Sequence, residues 1–91
     1  MTEELESRRR KLSFRAWHRG FKEADLYMGR FADAELAGMS AEELDAFEHL
    51  LEQQDQELYA WIIGRESTPV EFDTPMMTRL KAFDPSTSDA T

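Results

Sequence analysis

The feature that most constrains this chain is the helical spacing of its apolar residues, which recurs in almost every segment between its glycines and prolines. Because positions i, i+3, i+4 and i+7 share one face of an α-helix, each such segment buries one face against its neighbours. No segment shows the sustained two-residue alternation of a half-buried strand. The sequence therefore predicts an all-α fold, a compact single-domain five-helix bundle over residues 1–83 with a disordered C-terminal tail over residues 84–91. The breakers between the helices are Gly20, Gly38, Gly64 and Pro69.

Local signals mark several helix ends. Ser40-Ala41-Glu42-Glu43 has the pattern of a capping box, in which the side chains of the first and last residues each accept from the other's backbone N–H. Thr74-Pro75 predicts an N-cap followed by proline at the first helical position. Gly64 suits the left-handed position that follows a helix. Two further predicted N-caps are Ser7, for the first helix, and Asp55, for the fourth.

The second helix is predicted to run from about residue 19 to residue 36, with a broad apolar stripe. Asp25 falls within the stripe, and because a lone buried carboxylate is costly we expect it to cap or pair with another group. Gly29 weakens the helix by about 1 kcal/mol relative to alanine, and we expect it to permit close packing. On the third and fourth helices, Phe47 and Trp61 are predicted core residues. The stripe of the second helix consists of Phe21, Ala24, Met28, Phe31, Ala32 and Leu36.

Length and composition exclude several classes of protein. Ninety-one residues make one domain, and the absence of cysteine excludes disulfides, thiolate nucleophiles and cysteine metal clusters. No apolar run approaches the roughly 18 residues of a membrane-spanning helix, so we expect no stable membrane insertion. The acidic start lacks the pattern of a secretory or transit peptide. We expect a bacterial cytoplasmic protein.

The charge of the chain is negative overall and unevenly spread. The net charge of −8 disfavours nucleic acid as a partner, because phosphates need compensating cations. Residues 1–30 hold eight of the eleven lysines and arginines against five acids, whereas residues 31–91 hold three against fourteen. Such asymmetry favours an oriented electrostatic approach to a partner. We interpret the basic run Arg8-Arg9-Arg10-Lys11 as a solvated face.

The sequence offers little for catalysis. His18 and His49 lie on different predicted helices, and no spacing of metal ligands joins them. There is no phosphate-binding glycine loop and no nucleophile elbow. We therefore predict no catalytic, cofactor-binding or metal-binding residues, and a protein that is not an enzyme but acts by binding another protein.

One polar constellation stands out. If the second helix includes Arg19, then Arg19, Glu23, Leu26 and Arg30 follow at i, i+4, i+7 and i+11 on the face opposite the apolar stripe. One interpretation is an ordinary solvated face with an ion pair worth about 0.3–0.5 kcal/mol. The other is a docking face, since arginine is enriched at interface hot spots and Gly20 lets a partner's backbone come close. The spacing leaves both open.

Arg19-Gly20-Phe21-Lys22-Glu23 resembles the Arg-Gly-x-x-Glu motif of the succinate dehydrogenase flavinylation factors. The similarity extends over roughly residues 8–83 and includes a later segment that begins at Leu50-Leu51-Glu52 and ends at Trp61-Ile62. The motif alone is weak, but it is specific when that segment follows it. Phe21 and Ala24 depart from the family, which more often has Met and Leu there.

The resemblance implies a five-helix bundle that promotes covalent attachment of FAD to a histidine of the flavoprotein subunit of succinate dehydrogenase, and in some members of fumarate reductase. The flavoprotein is usually viewed as catalysing its own flavinylation, so the factor holds no cofactor and acts on the FAD of its client. Arg19, Gly20 and Glu23 would lie at the contact, with Leu26 and Arg30 completing the predicted partner-binding set. We expect a monomer when the protein is free.

Two other functions remain compatible with the residues. One is a generic cytoplasmic helical adaptor or regulator that uses the same docking face without any link to flavin. The other is a nucleic-acid or anionic-membrane binder that uses the Arg8–Lys11 run. The net charge argues against the second.

Overall fold

The computed structural model describes residues 2–84, and within them it contains five α-helices and no strand. Two short 3-10 turns, Leu36–Gly38 and Val70–Phe72, lie in the connections. The predicted all-α five-helix fold is confirmed. Of the predicted tail, only Asp84 falls among the described residues. The helices are α1 (Thr2–Trp17), α2 (Lys22–Glu35), α3 (Ala41–Leu51), α4 (Asp55–Ile62) and α5 (Pro75–Ala82).

All five helices contribute to one buried core. Phe47 and Trp61 are both buried in it, as predicted. The 3-10 turn in the connection between α4 and α5 places Phe72 against the Trp61 indole, with the ring centroids 5.1 Å apart. The largest fully buried side chains are Phe31, Phe47, Leu12, Met28, Met39, Leu44, Leu50, Leu58, Met77 and Leu80.

The helix ends follow their local signals in most places. The Ser40 and Glu43 side chains close the capping box at the start of α3, and the Thr74 hydroxyl accepts from the Met77 backbone at the start of α5. Gly64 has a φ of 81°, as its predicted left-handed position requires. Two predicted caps are wrong. Ser7 lies inside α1, which begins at Thr2, and Gln54 rather than Asp55 precedes α4.

The long helices α1 and α2 approach closely at Gly29. A β-carbon at this position would overlap the indole of Trp17, so only glycine leaves room for that ring. The Trp17 indole N–H also donates to Asp33 on α2, at 3.3 Å. The expectation that Gly29 permits close packing is confirmed.

The basic run is not the simple solvated face that we predicted. Arg8 forms ion pairs with Asp45 and Glu48 of α3. Arg9 donates to the carbonyl oxygens of Leu36 and Met39, at 2.9 and 2.8 Å. Arg8 therefore ties α1 to α3, and Arg9 ties α1 to the segment that links α2 and α3. Arg10 and Lys11 are exposed.

Candidate docking site

The predicted row of four residues on α2 is broken at its first member. α2 begins at Lys22, so Arg19 and Gly20 lie in the connection between α1 and α2. The cause is the backbone of Gly20, whose φ of 124° is incompatible with a helix. Glu23, Leu26 and Arg30 do lie within α2, at i, i+3 and i+7, and therefore on one face.

Arg19 is buried, with 8% of its surface exposed, so the prediction that it lies on an exposed helix face opposite the apolar stripe is wrong. Its guanidinium donates to the carbonyl oxygen of Leu51 at 2.7 Å and to that of Gln53 at 2.9 Å. It also forms an ion pair with Asp55, at 2.7 Å. Leu51 is the last residue of α3 and Asp55 is the first residue of α4. Arg19 therefore satisfies a carbonyl at the end of one helix while pairing with a carboxylate at the start of the next.

Asp25 holds the same connection from the side of α2. Its Oδ1 accepts hydrogen bonds from the backbone N–H groups of Arg19 and Gly20. This confirms the expectation that Asp25 caps or pairs with another group. We call Arg19, Asp25 and Asp55 the Arg19 lock, because together they fix the connection between α1 and α2 against the link between α3 and α4.

Gly20 is constrained by the Arg19 lock as well as by its own backbone. A β-carbon on Gly20 would lie 2.5 Å from Oδ2 of Asp55, closer than such atoms approach in proteins. Its positive φ adds strain for any other residue. Alanine at this position is therefore expected to destabilise the fold. Gly20 itself is exposed, so its backbone is open to a partner.

A groove of about 440 Å³ lies beside this connection, between the start of α2 and one face of α4. Phe21 was predicted to be a core residue, but it is the N-cap of α2 and forms part of the groove wall. Its ring packs edge-on against Tyr59, with the centroids 5.3 Å apart. Ile63, at the end of α4, is 43% exposed. We call this feature the docking groove, and its lining residues are Phe21, Glu23, Gln56, Tyr59, Ile63 and Arg65.

Sequence reasoning found the α2 side of this surface and missed the α4 side. Tyr59 and Ile63 are one helical turn apart and lie off the core face formed by Leu58, Trp61 and Ile62. Two apolar residues that share a face outside the core are a signal that could have been found. That the face lies next to Phe21 depends on tertiary packing and was not available from spacing.

Neither of the two histidines lines the docking groove. Within residues 2–84, no cluster of three histidine or acidic side chains could hold a metal ion. His18 stacks on Phe14, and its Nδ1 lies 2.6 Å from the Phe14 carbonyl oxygen. His49 stacks on Phe72. None of the helices in this part of the chain combines the length and the apolar content needed to cross a bilayer.

Most of the chain is similar to known proteins. The family model described as flavinator of succinate dehydrogenase matches residues 10–84. The FAD assembly factor SdhE of Acetobacter pasteurianus is 47% identical over 76 residues, which cover 84% of this chain and 70% of that protein.

Mitochondrial relatives are also similar. Succinate dehydrogenase assembly factor 2 of Dictyostelium discoideum is 32% identical over 74 residues, 81% of this chain and 52% of that protein. Assembly factor 2-B of Drosophila mojavensis is 35% identical over 81 residues, 87% of this chain and 52% of that protein. This chain thus spans about half the length of these two relatives. The residues matched by the family model, 10–84, agree with the resemblance over roughly residues 8–83.

Proposed function

This chain belongs to the family of flavinators of succinate dehydrogenase, and we propose that it binds the flavoprotein subunit of that enzyme and promotes covalent attachment of FAD to it. The observation that carries the proposal is the family match over residues 10–84, which includes all of the Arg-Gly-x-x-Glu motif at Arg19 to Glu23 and most of the helical body. The bacterial relative at 47% identity is named for the same task.

The chain acts in this proposal by positioning its client. Holding a histidine and a flavin in reactive geometry can supply several kcal/mol of the barrier without any group of the helper taking part in the bond change. The flavoprotein then performs its own flavinylation, and the FAD belongs to the client rather than to this chain. The surface, with its groove and its exposed glycine backbone, supports a binding role.

The proposed contact surface keeps the residues of the sequence prediction, with a changed role for one of them. Gly20 and Glu23 are exposed, and Leu26 and Arg30 lie half-buried further along α2. Arg19 is buried and does not contact the partner; it supports the surface by fixing the connection that carries Gly20. We call this set the docking surface: Arg19 supports it, and the residues that contact the partner are Gly20, Glu23, Leu26 and Arg30.

We also include fumarate reductase as a second client and a monomer as the free state. The support for fumarate reductase as a client is the family resemblance, because some members of the family act on its flavoprotein. The monomer is supported by the distribution of apolar residues. Among residues 2–84, the exposed large apolar residues are Phe14, Ile63 and Val70, and scattered single residues of this kind do not form the large patch of an obligate dimer.

The test is in-gel flavin fluorescence of the succinate dehydrogenase flavoprotein subunit, produced with and without this chain at equal flavoprotein levels. We expect covalent flavin to rise strongly when the chain is present. The fumarate reductase flavoprotein is assayed in parallel. Equal covalent flavin with and without the chain, for both clients, would reject the function and leave a helical adaptor with a different partner.

A further inference from the structure

We propose that the docking groove receives an extended segment of the flavoprotein, in which one apolar side chain is seated between Phe21, Tyr59 and Ile63. A basic residue of that segment lies against Glu23, and an acidic residue lies against Arg65. This inference rests on the proposed function, since the segment belongs to the proposed client. It adds α4 to the docking surface and states the chemistry of the partner.

The first support is that three apolar or aromatic side chains line the groove from two separate elements, beside its polar residues. Phe21 precedes the first residue of α2, whereas Tyr59 lies in α4 and Ile63 directly follows that helix. The neighbouring Ile62 is buried in the core, whereas Ile63 is exposed, so α4 packs against the core without the Ile63 side chain. An apolar residue that the core does not use, placed beside two aromatic rings, forms the kind of pocket that an anchoring side chain fills.

The second support is the contrast with the other exposed apolar residues. Val70 is 92% exposed and does not line the docking groove. Such a residue is common on monomer surfaces and carries no implication. Ile63 differs because two aromatic neighbours share its groove. Val70 therefore provides a matched control for Ile63.

The third support is the pair of opposite charges on the groove. Glu23 and Arg65 are both exposed and both line it. Opposite charges on one groove favour a partner segment with the complementary pair and disfavour one whose charges are reversed. Glu23 is also the last residue of the Arg-Gly-x-x-Glu motif, so the groove is continuous with the contact surface proposed above.

The fourth support is rigidity. The connection that carries Phe21 is held by Asp25 on one side and by the Arg19–Asp55 ion pair on the other. Asp55 begins the helix that carries Tyr59 and Ile63, so both walls of the groove are fixed to each other. A groove formed before binding costs less conformational entropy when the partner arrives.

The experiment measures the dissociation constant of the purified apo-flavoprotein subunit for four full-length forms of the chain: parent, Ile63→Glu, Tyr59→Ser and Val70→Glu. We expect Ile63→Glu and Tyr59→Ser each to weaken binding by about tenfold or more, as loss of an anchor residue does. Val70→Glu adds the same carboxylate at an exposed apolar position, and we expect it to stay within about twofold of the parent. Melting temperatures are recorded for all four.

A second arm tests the charges with Arg65→Glu, which changes an exposed side chain and leaves the core intact. We expect weaker binding, with the difference from the parent shrinking as salt is raised. Binding by the parent together with parent-like binding by Ile63→Glu, Tyr59→Ser and Arg65→Glu would overturn the groove and leave the proposed function standing. No binding and no flavinylation by the parent would overturn both. A further variant, Leu26→Glu, changes the docking surface outside the groove. If Leu26→Glu weakens binding while the groove variants bind like the parent, the contact lies along α2 and the groove is overturned.

Discussion

Arg19 and Arg8 both come from the basic first third of the chain and both pair with carboxylates of another helix, yet they lie in very different surroundings. The Arg19 residue is 8% exposed and is hydrogen-bonded to two backbone carbonyl oxygens as well as to Asp55. The Arg8 side chain is 29% exposed and faces the partly exposed carboxylates of Asp45 and Glu48.

From this difference in burial we expect the contribution of each arginine to the stability of the fold to depend more on its burial than on its number of partners. Water screens the pairs of Arg8 and solvates all three side chains if a pair opens. Little water reaches the buried Arg19 guanidinium, so removing it would leave the Leu51 and Gln53 carbonyl oxygens without a hydrogen-bond donor, whereas the partly exposed carboxylate of Asp55 could still be hydrated. The Nε–H of Arg19 is itself buried without a hydrogen-bond partner among residues 2–84, which adds to the cost of placing the side chain there.

The largest expected effect is that of Arg19→Ala on stability. Leaving a buried hydrogen-bond acceptor unsatisfied costs about 1–3 kcal/mol, and because Arg19→Ala removes the donor to two carbonyl oxygens we expect it to cost about 2–5 kcal/mol. Arg8→Ala should cost only about 0–1 kcal/mol, the usual value for exposed pairs. Urea unfolding of both variants and the parent measures the two differences. Equal losses in the two variants would show that the contrast in burial does not govern these pairs.

The next effect is that of Gly20→Ala, which tests the Arg19 lock through the backbone. The positive φ of Gly20 and the close approach of Asp55 should together cost about 1–3 kcal/mol. Gly38→Ala is the matched control, because a β-carbon there meets nothing within 4 Å and its φ is not positive. We expect Gly38→Ala to melt within a few degrees of the parent.

Gly20→Arg extends this test from folding to binding. Its long side chain would stand at the proposed contact surface, so we expect the greatest loss of covalent flavin from this variant. Flavin yield is read at a temperature where melting curves show the variant to be folded. A folded Gly20→Arg protein with normal flavin yield would remove Gly20 from the contact surface.

Asp55→Asn removes a charge from the Arg19 lock without changing the shape of the side chain, so its effect can be compared with the same change in the exposed pair of Arg8. The amide keeps a hydrogen bond to Arg19 but loses the charge, and since Asp55 is about one-third exposed we expect a loss near 1 kcal/mol. Asp45→Asn removes a carboxylate from the exposed pair of Arg8 and serves as the control. Flavoprotein affinity should fall for Asp55→Asn and not for Asp45→Asn. A fall in both, or in neither, would disconnect the Arg19 lock from docking.

These contrasts also explain how much the sequence could predict. The capping box at Ser40 and Glu43 and the Thr74-Pro75 start depend on residues three or fewer positions apart, and local spacing identified them. The Arg19 hydrogen bonds join residues 32 and 34 positions apart. An arginine in a basic segment looks the same in sequence whether it meets solvent or the end of a distant helix.

The candidate site follows the same rule. Glu23, Leu26 and Arg30 share a face because they lie on one helix, and spacing alone could show this. Arg19 was added to the row because the helix was predicted to start before Gly20. The groove side formed by Tyr59 and Ile63 required knowing which helices are neighbours. Residues that meet only through tertiary packing were therefore the ones that spacing misplaced or missed.

The smallest expected effect concerns a surface arginine pair and its dependence on pH. Arg79 bridges Glu35 and Glu43, with Glu43 at 2.9 Å, and all three side chains are partly exposed. The hydrogen bond from the Ser40 backbone, with help from the charge of Arg79, holds the pKa of Glu43 below its ordinary value of 4.5. A carboxyl whose pKa is lower in the folded state stabilises the fold fully above the unfolded pKa. That contribution is lost as the pH falls through the folded pKa.

We therefore expect Glu43→Gln to be less stable than the parent at pH 7, with the same difference down to about pH 5 and a shrinking one below that. Glu42→Gln is the matched control, because Glu42 also lies in the first turn of α3 and shares the favourable interaction with the helix dipole, but does not close the capping box. Chemical unfolding between pH 7 and pH 3 measures both differences. If Glu42→Gln shows the same loss and the same pH dependence, then the helix dipole rather than the Ser40 and Arg79 contacts accounts for it. A Glu43→Gln difference that stays constant down to pH 3 would contradict the assignment altogether, because a carboxyl that is already protonated has no ionised form left to stabilise.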